Sequence, residues 1–285
     1  MQKSIGFNEI GKAEIGPEGG SIHFDDCFVT IPPGALNHPV LFKLNLQTDL
    51  TQFCPEDFVG ITPVLSSSTP IQSHLPMIIR LRTWCRTKQE NVIAYVAYME
   101  DEDSDIKILA QKQLRETGQY ISFETEHVSR LFVYIKTLFI EKVEFKVQPE
   151  LFFNKKGKFR CIFSLDDETT KKEVFSEMNR AEYSPTPFIF NLLTVKCGNQ
   201  ISIKISAESY ETTQNYTFIP VNKNGFSISE DLWKGNRKVI EFQVSPLPQP
   251  QELLDIKFEL NLNGKTECLD YNLLWPKLDF IDEID

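Results

Sequence analysis

The chain has 285 residues, 41% hydrophobic and 25% charged, a globular composition long enough for two domains of about 100–150 residues each. Its formal net charge of −10, from 30 Lys and Arg against 40 Asp and Glu, disfavours nucleic acid or an anionic membrane surface as the main partner. The 22 Phe against 4 Met, with many Val, Ile and Thr, favour strands over helices.

Period-2 alternation runs through the first half and predicts strands over 21–24, 28–31, 40–46, 61–65, 77–83, 92–99, 106–110, 119–124 and 129–137. Pro, Gly, Ser and Asp fill the gaps, as turns require. The second half predicts strands over 141–147, 158–164, 188–195, 200–207, 215–221, 239–244, 256–261 and 265–272. Asn263-Gly264 between the last two is a two-residue hairpin signal. One short helix is expected over 169–182, placing Val174, Phe175, Met178 and Ala181 on one face, with acids before it and Pro185 beyond it. The expected fold is all-β: two β-sandwich-like domains, 1–137 and 138–285, the second carrying the helix. The join near 137–140 is short, so the second domain is expected to pack on the first and regulate it.

Nothing in the N-terminal MQKSIGFNEIGKAEIG has the apolar stretch of a secretory signal, and no run approaches the ~18 apolar residues of a membrane span. Cysteines 27, 54, 85, 161, 197 and 268 are widely and irregularly spaced, without a Cys-x-x-Cys, which suits neither a disulfide scaffold nor a zinc site. Reduced thiols and a cytoplasmic location are the simplest expectation, which makes the Asn215-Tyr216-Thr217 sequon accidental.

The phrase Gly16-Pro17-Glu18-Gly19-Gly20 followed by Cys27-Phe28-Val29-Thr30-Ile31-Pro32-Pro33-Gly34-Ala35-Leu36 resembles the opening of the ZU-type domain, which zonula occludens scaffolds, netrin receptors and ankyrins share. Gly60-Ile61-Thr62-Pro63-Val64-Leu65 and Leu75-Pro76-Met77-Ile78-Ile79-Arg80-Leu81 are similar to its later strands. From Phe163-Ser164-Leu165-Asp166-Asp167 through Leu192-Leu193-Thr194-Val195 the chain resembles the UPA domain that usually follows, at the level of pattern. The resemblance implies an intracellular protein-interaction or scaffolding module of signalling type whose partners are other proteins. A death domain or caspase-recruitment bundle often follows such a pair, and the expectation is that none is present here. Read physically, the glycines and prolines are punctuation: Gly19 and Gly20 admit positive φ, and Pro32-Pro33 end a ladder.

Conventional catalysis finds little support. No Gly-x-Ser-x-Gly elbow or phosphate loop occurs, and histidines 23, 38, 74 and 127 lack metal-ligand pairing. No cofactor and no metal is expected, and a Cys–His pair that meets only in space stays open. The acidic run 100–105 has the first spacings of a calcium loop, but Ile106 and Lys112 stand where Gly and Glu are needed. Arg80, Arg82, Arg86 and Lys88 are the best candidate for a locally basic patch and are read as a solvated strand edge and turn. The remaining candidate is His127-Val128-Ser129, standing where the ZU-type domain carries His-Phe-Ser. The resemblance implies a self-cleaving alternative: Ser129 Oγ attacks the Val128 carbonyl, His127 manages the protons, and a strained peptide favours the N-to-O shift. β-Branched Val128 crowds the carbonyl under attack. The competing expectation is that His127 and Ser129 are ordinary strand residues.

Overall fold

A computed structural model describes residues 11–48, 57–89, 91–100, 104–114, 119–154, 156–186, 190–212, 214–221, 226–227, 237–249 and 251–275. The fold is all-β, as the alternation predicts, with antiparallel pairing throughout the described ladders and, among the described residues, one α-helix and one 3₁₀ helix. The chain divides into two compact units. The first comprises Met1–Lys146, Leu165–Lys172 and Glu230–Asn236; the second comprises Val147–Ser164, Glu173–Ser229 and Arg237–Asp285.

The first unit contains β1 (Gly11–Ile15), β2 (Gly20–Phe24), β3 (Cys27–Ile31), β4 (Val40–Gln47), β5 (Phe58–Gly60), β6 (Val64–Arg82), β7 (Cys85–Arg86), β8 (Ile93–Met99), β9 (Lys107–Gln113) and β10 (Tyr120–Lys136), then the 3₁₀ helix Thr137–Lys142. Its sheet runs β1-β4-β6-β10-β8-β9, with the β2–β3 hairpin on β6 and β5 on β10. β6 changes neighbours along its length. Leu65 and Ser66 face Leu46 and Asn45 of β4, whereas Ile78 to Leu81 face Thr30 to Cys27 of β3. One face of β6 is buried throughout this second half (Met77, Ile79 and Leu81), and it packs with Val29, Phe123 and other residues whose exposure is near zero.

Two pieces of the glycine–proline phrase meet in space. Gly34 N–H donates to the Pro17 carbonyl at 2.8 Å, and Ala35 N–H to Pro32 at 3.2 Å. Gly19 sits at φ +76°, and a Cβ there would lie 2.6 Å from the Ile31 carbonyl oxygen. The glycine is needed for close approach of two backbones as well as for its turn.

In the second unit and across its boundary lie β11 (Glu144–Phe153), β12 (Lys158–Leu165), α1 (Glu168–Arg180), β13 (Ser184–Pro185), β14 (Leu193–Val195), β15 (Gln200–Ser209), β16 (Asn215–Pro220), β17 (Phe226–Ser227), β18 (Lys238–Ser245), β19 (Leu253–Leu262) and β20 (Lys265–Leu274). The main order is β13-β11-β12-β18-β16-β15-β19-β20. The Asn263-Gly264 hairpin forms as expected, with both residues at positive φ and Leu262 opposite Lys265.

The helix starts one residue before its expected position, and its apolar face is narrower than the pattern suggested. Val174 and Met178, one turn apart, are buried with Phe152, Ile162 and Tyr183. Phe175 is 43% exposed and Ala181 is also exposed. Asp167 caps the first turn by accepting from Thr170 N–H at 2.7 Å. A second carboxylate reaches the helix start from the β2–β3 turn: Asp26, 3% exposed, accepts from Glu168 N–H at 2.8 Å and from Arg82 at 3.1 Å. Arg82 also holds Asp166 at 2.9 Å. Burial opposes the Arg82 charge, but the hydrogen bond and charge of Asp26 outweigh it and raise the arginine pKa.

A buried tyrosine–carboxylate pair pins the loop before β19. The Tyr216 hydroxyl donates to Glu252, 2.7 Å from both oxygens, and Glu252 also accepts from Gln249 N–H at 2.8 Å. Burial, with the hydrogen bond and charge of Glu252, pushes the Tyr216 hydroxyl up to about 12. Burial alone would raise Glu252, but its Ser209, Tyr216 and Gln249 donors hold it below the ordinary carboxylate value. The carboxylate's contribution is therefore present above the ordinary Glu pKa and fades as pH falls. The tyrosine's is present below the ordinary Tyr pKa and is lost as pH rises through about 12. Tyr216→Phe is expected to cost about 2 kcal/mol at neutral pH, because it leaves a buried carboxylate short of a donor. It should also remove this group's share of the alkaline loss, both read from urea unfolding at neutral and alkaline pH.

Candidate functional site

His127, Val128 and Ser129 lie within β10, where its ladder with β6 is interrupted twice. Thr125 faces Met77, His127 faces Gln72, Val128 faces Ile71 and Arg130 faces Ser66. At each break β10 advances two residues while β6 advances five, so 67–70 and 73–76 bow out of the ladder. The irregularity is carried by Ser, Thr and Pro of β6, which bond locally: Ser67 Oγ donates to the Thr69 carbonyl at 2.6 Å, and Ser73 Oγ to Leu75 at 2.8 Å.

The tripeptide is held by short-range bonds. Thr125 Oγ1 accepts from His127 N–H at 3.1 Å and donates to the His127 carbonyl at 2.9 Å. Val128 is fully buried and Ser129 is 3% exposed. Ser129 Oγ donates to the Met99 carbonyl at 2.6 Å, beside the point where Arg130 faces Met99 and the β8 ladder begins. His127 Nε2 is buried with no hydrogen-bond partner among the described residues. His127 and Ser129 therefore form no hydrogen-bonded base–nucleophile pair through Nε2. The serine proton rests on a main-chain carbonyl, which cannot act as a base at neutral pH.

Beside this bend lies a groove of about 480 Å³, lined by Pro76, Tyr98, Leu109, Glu124, Glu126 and His127 among others. The His127 and Tyr98 rings meet edge to face, with centroids 6.0 Å apart. Leu109, 38% exposed, is the extra residue of a β-bulge in β9, between Ile108 facing Ala97 and Ala110 facing Val96. β9 ends the main path of the sheet, and all its residues but Ala110 are exposed. This groove is not legible from alternation, because it depends on a bulge and on two excursions of β6.

The basic stretch is largely absorbed. Arg82 is paired as described, and Arg86 meets Glu144 at 3.3 Å. Arg80 is different: its guanidinium carbon lies 5.3 Å from the ring centres of both Phe28 and Tyr120. Cys27, Cys85 and Cys161 are buried free thiols whose pKa values burial pushes up, so none is a ready thiolate. Cys54, and Asp101, Glu102 and Asp103 of the acidic run, lie outside the described residues. Among the described residues no three His, Cys, Asp or Glu side chains gather as metal ligands, and no helix is long and apolar enough to cross a membrane. No family model matches the chain, and no curated protein matches it.

Proposed function

We propose that this chain is an intracellular protein-binding module of the ZU–UPA kind that works by presenting strand edges and grooves to other proteins. The observation that carries the reading is the groove between Tyr98, Leu109 and Pro76, which sets apolar and acidic side chains together beside the exposed strand β9. A partner segment with apolar and basic side chains suits that lining. The free thiols suit a reducing compartment. The test compares proteins crosslinked to the full chain, to Leu109→Glu and to a distant surface change, Ile219→Glu. A partner lost with Leu109→Glu alone supports the reading. Identical partner sets for all three overturn it.

The second reading is self-cleavage between Val128 and Ser129, favoured by the two ladder breaks that flank this peptide. Against it stand the engagement of Ser129 Oγ with Met99 and the missing His127 partner. The expected result on a denaturing gel after long incubation is one intact band at 32.9 kDa. Two bands that disappear with Ser129→Ala would reverse the order of the two readings.

A further inference from the structure

The solvent face of the first unit's sheet carries a row of four side chains from four strands. His23 on β2 faces Phe28 on β3, Phe28 faces Arg80 on β6, and Tyr120 on β10 lies diagonally beyond. The His23 and Phe28 rings stack at 4.0 Å, Phe28 and Tyr120 meet edge to face at 5.5 Å, and the Arg80 guanidinium lies against both Phe28 and Tyr120. Met77, Ile79 and Leu81 alternate with Ile78 and Arg80, so the core fills one side of β6 and this row faces water.

Arg80 makes no ion pair among the described residues, although the molecule carries ten more acids than bases. Arg82, two residues on, meets two carboxylates. Directly across the strands Arg80 faces Phe28 and Ser122, while Glu124 faces Ile78 and Asp26 is taken by Arg82. Two aromatic faces thus fix a planar guanidinium whose N–H fork remains open, and little side-chain entropy is left to lose when it binds.

We infer that this face is a carboxylate-recognition site for an extended acidic segment of a partner protein, independent of the groove at Leu109. Charge selects the ligand. One unpaired guanidinium matches one carboxylate in a bidentate pair, whereas a phosphate dianion would meet one cation within the field of a strongly acidic molecule. The neighbour of Arg80 on the same face, Ile78, is 40% exposed. It stands two residues away, about 7 Å along the strand, which matches alternate side chains of an extended chain. The segment recognised therefore carries Glu or Asp two positions from an aliphatic residue.

The experiment selects peptides from a random display library on the full chain, then synthesises the best binder with its acid as Glu, Gln and phosphoserine. The expected binder holds the acid–x–aliphatic pair. Its Glu→Gln change should weaken binding about tenfold to the wild type and leave binding to Arg80→Gln unchanged. Arg80→Lys, which keeps the charge but loses the fork and its stacking, should lose most of the affinity. Leu109→Glu should lose none, so failure here and failure of the groove reading are separate results. The assignment is overturned if no clone is enriched, if enriched clones lack the acid, or if the acid matters equally in Arg80→Gln. It is also overturned if phosphoserine binds more tightly than Glu, or if Arg80→Lys binds as well as the wild type.

Discussion

Gly19→Ala is expected to destabilise the first unit by about 3–5 kcal/mol, lowering its melting temperature by roughly 10 °C. Two effects add. Alanine at φ +76° sits in the left-handed region, and its Cβ would lie 2.6 Å from the Ile31 oxygen and 2.7 Å from Pro33 N. Those atoms belong to the backbone and cannot rotate away. Gly34→Ala is the control. Its φ of +80° carries the same conformational cost, but the nearest atom is a Leu75 methyl at 3.8 Å, so about 1 kcal/mol is expected. Calorimetry of both variants decides the matter. Equal losses would mean that the two backbones do not need to approach each other.

Asp26→Ala is expected to cost about 3 kcal/mol, because two groups lose their acceptor at once. Arg82 keeps a charge with half of its carboxylate partners gone, and Glu168 N–H is left unsatisfied at the helix start. The Asp26 main-chain carbonyl still accepts from Arg82 N–H, so the turn itself should persist. Asp26→Asn keeps an acceptor for Glu168 N–H but not the charge, and about half of the loss is expected. Since the side chain of Asp26 is almost wholly buried, the loss should change little between low and high salt in urea titrations. A loss that vanishes in high salt would make the contact a surface pair worth little.

Much of this fold is legible in local chemistry. Strict alternation places β15, whose residues alternate exposed and buried along almost its full length, and Asn263-Gly264 fixes the hairpin of β19 and β20. The merging of 61–65 with 77–83 into β6 is not legible. Ser66, Ser67, Ser68, Thr69 and Pro70 read as a loop, yet Ser66 and Ser67 pair with β4, and β10 pairs Ser66 and then Ile71 on either side of the excursion. In the same way 119–124 and 129–137 are one strand, β10. The strand expected over 188–195 shrinks to Leu193–Val195 among the described residues. At the candidate site the residue pair His127 and Ser129 could be named in advance, but the acceptor of Ser129 could not. It is a main-chain carbonyl from another strand, and any residue supplies one. Asp26 presents the same difficulty: as a helix cap it acts on Glu168, 142 positions away, beyond the reach of any capping pattern.

The two-neighbour character of β6 has a consequence for how the chain folds. Its partners on one edge, β3 and β4, precede it and are made first, whereas β10 follows after three further strands. Until β10 arrives, one edge of the longest strand stands open with Met77, Ile79 and Leu81 close by, which is the circumstance in which strands join neighbouring molecules. The serines, prolines and histidine of 66–76 break that strand into two short apolar runs. The same residues that bow out of the native ladder thus act as gatekeepers during synthesis, separating runs that would otherwise aggregate as one.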